Sequence, residues 1–180
     1  LFLGAGSVIH AMSGEQDIKK MGGLGRKIPI TFVTFAVATA AISGIPPLAG
    51  FFSKDEILWY ALASGRGGSV LLFAVMAFTA LLTAFYMFRL FWLTFMGAPR
   101  MAKEVEHHVH ESPASMTGVL VVLAVLSAVG GFLSIPHFLE PMLPLPETMA
   151  AMQPYHYWVM GGSIAIAAAG LAGAIWFFAG

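Results

Sequence analysis

Ser53-Lys54-Asp55-Glu56 sets three consecutive ionisable side chains into the mostly apolar stretch from Pro29 to Ser64, just after a Pro46-Pro47 break. A charge near the middle of a bilayer costs roughly 2.5 to 3.5 kcal/mol on insertion scales, so an ionisable residue there marks a functional site. The residues of this cluster do not read alike. Ser53 with Glu56 matches the S-x-x-E capping box, and Asp55 and Glu56 suit the positive end of a helix dipole, so a purely structural role stands beside a functional one for both acids. Lys54 is repelled by that same dipole, and capping gives no reason for a cation in a first turn. A buried lysine can hold or release a proton, which points to proton exchange. The other reading of Lys54 is a packing role, paired with Asp55 or a nearby carbonyl. Adjacent helical residues do not face each other, so direct Lys54–Asp55 contact requires irregular backbone.

Further candidates for a proton path lie elsewhere in the chain. Arg89 falls inside a long apolar run, where snorkelling to the headgroups competes with a place in the path. Thr79 and Thr83 are one helical turn apart and share a face, which suits a water chain; hydroxyl bonds back to their own helix are the commoner use. His10 closes an apolar run beside a basic stretch, and an imidazole titrating near neutrality suits proton uptake from the aqueous side. His107, His108 and His110 resemble a metal cluster, but their neighbours Glu104, Glu106 and Glu111 mark a solvated loop. No metal motif, Gly-rich phosphate loop or nucleophile elbow occurs, and the absence of cysteine excludes thiolate metal sites, disulfides and thiol redox chemistry within this stretch.

The elements that must hold these residues follow from composition. Hydrophobic residues make up 58% of the 180-residue chain and charged residues 10%, with net charge zero. A soluble domain carries about 25% charge, spread along its sequence. Here the apolar residues come in blocks long enough to span a bilayer, the profile of a polytopic helical membrane protein. Nothing in the charge balance suggests nucleic acid. The chain starts inside an apolar run without Met and reads as an internal piece of a longer protein.

The expected order is the tail of a helix over 1–12, a polar loop over 13–28, and a discontinuous helix over 29–64 broken near 45–52. Spans over 69–96, 115–135 and 155–179 follow, separated by loops 97–114 and 136–154. Each proline of the break removes a backbone donor and clashes with the preceding turn. The half after the break, Ser53 to Ser64, supplies only about 18 Å against a core of about 30 Å, too little to span alone. A broken helix also gathers Lys19, Lys20, Arg26, Lys27, Arg100 and Lys103 on one side, leaving Arg66 opposite; two separate spans divide them less cleanly. The positive-inside rule then makes loops 13–28 and 97–114 cytoplasmic and 136–154 external. Tyr155, Tyr157 and Trp158 read as an interfacial aromatic belt. The expected fold class is all-α, a polytopic transmembrane helix bundle with one discontinuous helix. Unwound backbone at membrane depth is tolerated where it is buried or lines a wet cavity, so the break itself implies polar surroundings.

Three segments carry a resemblance: Gly-Ala-Gly-Ser-Val-Ile-His at 4–10, Glu-Gln-Asp-Ile-Lys-Lys-Met-Gly-Gly-Leu at 15–24, and Ser-Gly-Ile-Pro-Pro-Leu-Ala-Gly-Phe-Phe-Ser-Lys-Asp-Glu-Ile-Leu at 43–58. Together they resemble the chain L family of NADH-quinone oxidoreductase, the antiporter-like proton-conducting subunits of respiratory complex I. The resemblance is specific over residues 1 to 97 and thins beyond. Lys54 bears on it, because the sister chain M carries a glutamate there. The resemblance implies an antiporter-like fold, present in part, with Leu1 to Met12 ending the eleventh transmembrane helix and residues 29–64 forming the discontinuous twelfth. It makes Lys54 the terminal lysine of a proton channel facing the periplasmic exit. It implies a multi-pass subunit of a bacterial inner membrane, partnered by other membrane subunits of complex I, by lipid and by protons. This chain would bind no cofactor, while NADH, FMN, iron–sulfur clusters and quinone would belong to other subunits. A subunit of an Mrp-type cation/proton antiporter or of a membrane-bound hydrogenase shares much of the motif, and a non-conducting membrane scaffold is the reading from another class.

Overall fold

The structure is a computed structural model and describes residues 1–63, 69–133 and 153–179. Arg66, the glycine turn around it, Ser64, and residues 134–152, which hold the end of the expected 115–135 span and most of the external loop, lie outside the described residues. Among the described residues seven α-helices follow in order: α1 (Phe2–Ala11), α2 (Pro29–Ser43), α3 (Ala49–Ala63), α4 (Val70–Phe95), α5 (Lys103–His108), α6 (Ala114–Val129) and α7 (His156–Phe178). Short 3-10 turns occupy Ile18–Lys20, Leu24–Arg26, Gly130–Leu133 and Gln153–Tyr155, and no strand occurs among the described residues.

The chain is a membrane helix bundle. Val70–Phe95, Ala114–Leu133 and His156–Phe178 are long and apolar enough to cross a bilayer. Their large apolar side chains point outward: Phe78, Val122, Trp158 and Trp176 are all well exposed. Lipid tails are as apolar as these side chains, so helix association relies on close packing of small residues instead of burial of large ones. The α4–α7 contact shows this. Ala77 and Ala84 on α4 are buried with Ala167 and Ala174 on α7, and a Cβ added at Gly170 would stand 2.6 Å from the Leu81 carbonyl oxygen.

Helices α2 and α3 lie in series along α4. Phe35 of α2 packs with Met87 and Phe95 in one core, which also takes Val8 and Ala11 of α1; the Phe35 and Phe95 rings stand 5.3 Å apart. Leu58 and Trp59 of α3 pack with Ala77 of α4 and Val159 of α7 in a second core. One half-helix therefore covers each end of α4, which at 26 residues is about 39 Å long. This is the discontinuous helix.

The break has a defined geometry. Pro29 opens α2 at its first position, where its missing N–H is no loss. Gly44 closes α2 in the left-handed region at φ +81°, a conformation other L residues adopt at a cost. Its N–H donates to the Ala41 carbonyl at 3.0 Å and that of Ile45 to Ala40 at 3.1 Å, so the last turn is satisfied from within. At the start of α3, Gly50 lies so close to the Ala41 carbonyl that a Cβ there has no room.

The second half-helix begins at Ala49, a turn earlier than the expected Ser53. The Ile45–Leu48 turn already supplies its first acceptors, with the N–H of Phe51 donating to Leu48. Ser53 is therefore not a cap: its hydroxyl points back to the Ala49 and Gly50 carbonyls, each at 3.3 Å. The capping box with Glu56 does not form, and Lys54, Asp55 and Glu56 sit inside the helix, where the dipole argument for the acids is weak.

The polar segments 13–28 and 97–113 meet each other. Lys27 Nζ donates to the Glu106 carboxylate at 3.1 Å and to its carbonyl at 2.8 Å. Arg100 Nε donates to the Lys19 carbonyl at 2.9 Å, and the Gly23 N–H to the Met96 carbonyl at 3.1 Å. The second segment is not plain loop, because α5 forms within it.

Candidate proton-transfer site

Lys54 and Asp55 leave α3 on different sides, as successive helical residues must. The stem of Lys54 turns toward the break: a Cβ on Gly44 would stand 3.3 Å from Lys54 Cδ. Its Nζ is buried and has no hydrogen-bond partner among the described residues. Thr39 Oγ1, on α2, is the other such atom. A buried ammonium with none of its three donors met carries a large desolvation cost. An amine able to give up its proton avoids that cost, which a lysine tied to a fixed counter-charge does not.

Asp55 faces α7. Its side chain is buried among polar partners from that helix, with the Ser163 hydroxyl 3.0 Å from Oδ1 and His156 Nε2 3.7 Å from Oδ2. The imidazole sits edge-on to Trp59, ring centroids 5.0 Å apart, and keeps about a third of its side chain exposed. A buried carboxylate, a hydroxyl and a partly exposed imidazole at one end of the bundle are chemically suited to passing a proton between the interior and that surface.

The other expected site residues are placed apart from this pair. Thr79 and Thr83 donate to the Val75 and Thr79 carbonyls, each at 2.8 Å, so both hydroxyl protons are engaged in their own helix. The Arg89 guanidinium lies over the Phe178 ring, 5.6 Å from its centroid, a cation–π contact at the end of α7 opposite His156. His10 is exposed, with its ring 6.1 Å from that of His110. His107, His108 and His110 are exposed too, and no group of metal-ligating residues occurs among the described residues.

The sequence alone does not single out His156 or Ser163. Both lie in the last apolar run, whose Tyr155, Tyr157 and Trp158 mark the interface. The available signal was an ionisable residue and a hydroxyl seven positions apart on one face of a span, facing an acid on another. Glu111 likewise reads in sequence as part of a solvated loop. Its carboxylate accepts from the Ile30 and Thr31 N–H groups at 2.8 and 3.3 Å and from the Thr31 hydroxyl at 2.6 Å, capping α2 from 81 residues away in sequence. Ser7 joins the same cluster, 2.8 Å from Thr31 Oγ1 and 2.6 Å from Ser112 Oγ.

Comparison with known proteins agrees with this architecture. Residues 1–83 match the family described as NADH:quinone oxidoreductase/Mrp antiporter, transmembrane. The chain is 47% identical over 150 residues to NADH-quinone oxidoreductase subunit L of Mycobacterium tuberculosis, an alignment covering 79% of this chain and 23% of that protein. It is 46% identical over 162 residues to NAD(P)H-quinone oxidoreductase chain 5 of Picosynechococcus sp., covering 76% and 24%. With subunit L of Rhodobacter capsulatus it shares 45% over 142 residues, covering 73% and 20%. The chain thus spans under a quarter of the length of these relatives. By its helical bundle, its broken helix and these identities, the chain belongs to the NADH:quinone oxidoreductase/Mrp antiporter transmembrane family, and it is similar over most of its length to members of the subunit L and chain 5 type.

Proposed function

We propose that the chain is part of a proton-translocating membrane subunit of an NADH:quinone oxidoreductase, in which Lys54 alternately holds and releases a proton. The observation that carries this is the Lys54 Nζ, buried at a helix break without a partner among the described residues. The relatives' names support the assignment to a redox-driven complex. The chain would conduct protons while NADH oxidation and quinone reduction take place in other subunits, which hold the FMN, iron–sulfur clusters and quinone. Its partners are then the other membrane subunits of the complex, and its place is the bacterial inner membrane. Asp55 continues the path, and His10 stands at the opposite, cytoplasmic side as an uptake group.

The test is Lys54→Ala in the assembled complex. Proton translocation per quinone reduced should fall several-fold while the complex still assembles; undiminished pumping excludes the proposal. The matched family also includes Mrp antiporters. Competition by Na⁺ against proton movement in vesicles would favour that alternative.

A further inference from the structure

We propose that His156 is the proton acceptor for Asp55 at the external end of the bundle, taking protons from the buried carboxyl and delivering them to outside water. The inference rests on the proton-path reading of Lys54 and Asp55 and adds the group that follows them.

Three observations carry it. Asp55 has only 6% of its surface exposed, so it cannot discharge directly into bulk water with ease. His156, on the first turn of α7, faces both ways: Nε2 lies 3.7 Å from Asp55 Oδ2, and about a third of the side chain is exposed. Ser163 distinguishes the two carboxyl oxygens. Its hydroxyl lies 3.0 Å from Oδ1 and 2.9 Å from the Met160 carbonyl; when its one proton is given to Oδ1, Oδ2, the oxygen toward His156, is left as the place for an acid proton. Trp59, packed edge-on against the ring, restricts the imidazole without covering it.

The step balances as a proton relay. The Oδ2–H bond of Asp55 breaks and an Nε2–H bond forms on a neutral His156, leaving a carboxylate and an imidazolium. The Nδ1 proton then leaves to external water, returning a neutral ring in the other tautomer, which resets by exchange with the same water. The 3.7 Å separation exceeds the roughly 2.7–3.2 Å of a hydrogen bond, so transfer requires a ring movement of about half an ångström or one bridging water. Among the described residues, the charged and titratable neighbours of the ring are Asp55 and Glu56 on α3, with Tyr155 and Tyr157 beside it in sequence.

The experiment uses the full-length subunit in its assembled complex, reconstituted in vesicles, with proton translocation and quinone reduction measured together. His156→Gln keeps a polar side chain of similar reach but cannot carry a proton, and should lower translocation several-fold. His156→Ala should do the same, and added imidazole, which permeates the vesicles, should restore a substantial part. Wild-type translocation by His156→Gln, or a loss in His156→Ala that imidazole leaves unchanged, overturns the proposal. Lys54→Ala separates the two layers. A defect in Lys54→Ala beside normal pumping by His156→Gln removes His156 alone, whereas normal pumping by Lys54→Ala removes the underlying path.

Discussion

The stem of Lys54 lies against the left-handed glycine that ends α2, 3.3 Å from where a Cβ on Gly44 would stand. The same residue thus ends one half-helix and makes room for the lysine rising from the other. Two substitutions separate these roles. Gly44→Ala forces an L side chain into φ +81° and should cost about 1–2 kcal/mol, read as a lower unfolding midpoint of the purified subunit. Gly44→Asn tolerates that backbone better but crowds Lys54 equally. Reduced proton translocation in both, with the larger stability loss in Gly44→Ala, is the expected pattern; normal pumping in both would show that the contact has no bearing on the lysine.

The break and its lysine were legible because prolines and charges are rare in apolar runs, and each has a specific cost there. The position of the second half-helix was not. Ser53 and Glu56 have the spacing of a capping box, yet a helix starts where its first N–H groups find acceptors, and the turn at Ile45–Leu48 provides them sooner. Asp55 was visible as an ionisable residue, but its partners His156 and Ser163 are more than 100 positions away. Nothing local in the last span encodes that pairing, which arises from packing of α3 against α7. Glu111 has the same character, since loop composition says nothing of the helix start it will cap.

Glu111 should be worth more than a surface acid. Its two oxygens receive the Ile30 N–H at 2.8 Å and the Thr31 hydroxyl at 2.6 Å, so Glu111→Ala removes the cap of α2 and should cost about 0.5–2 kcal/mol. Thr31→Val leaves both Glu111 and Ser7 short of a partner. Because the two share one network, their effects in a double-mutant cycle should depart from additivity by about 0.5 kcal/mol or more. Additive losses of thermal stability would mean that the cluster does not act as a unit.

The loop before α2 should be sensitive to acid. The Asp17 backbone N–H, followed by the Lys20 ammonium, holds the Glu15 carboxyl below its ordinary value of 4.5, with Lys20 Nζ 3.0 Å away. A carboxyl depressed on folding contributes stability that is present above its unfolded value and lost as pH falls through its folded one. Amide exchange at 15–20, corrected for intrinsic rates, should therefore show steady protection above pH 4.5 and a decline below it. Glu15→Gln should abolish that decline. The screening of an exposed pair keeps the effect small, and added salt should shrink it further.

The α4–α7 contact should tolerate enlargement at one glycine and not at another one turn away. At Gly170 a Cβ would stand 2.6 Å from the Leu81 carbonyl oxygen and 3.0 Å from Ala84 Cβ. Backbone cannot move aside as a side chain can, so Gly170→Ala must push the helices apart, at about 1–3 kcal/mol. At Gly173 the nearest atom, on the Phe85 ring, would lie at 3.8 Å, an ordinary contact, and Gly173→Ala should change stability by under about 0.5 kcal/mol. Ala84→Gly should relieve Gly170→Ala only in part, because the Leu81 carbonyl remains. The consequence reaches the site, since Ser163 and His156 ride on α7 while Asp55 does not. A displaced α7 should lower proton translocation in Gly170→Ala even where assembly survives. Equal unfolding midpoints for the two alanine variants would show that α7 is held against α4 by something other than this close approach.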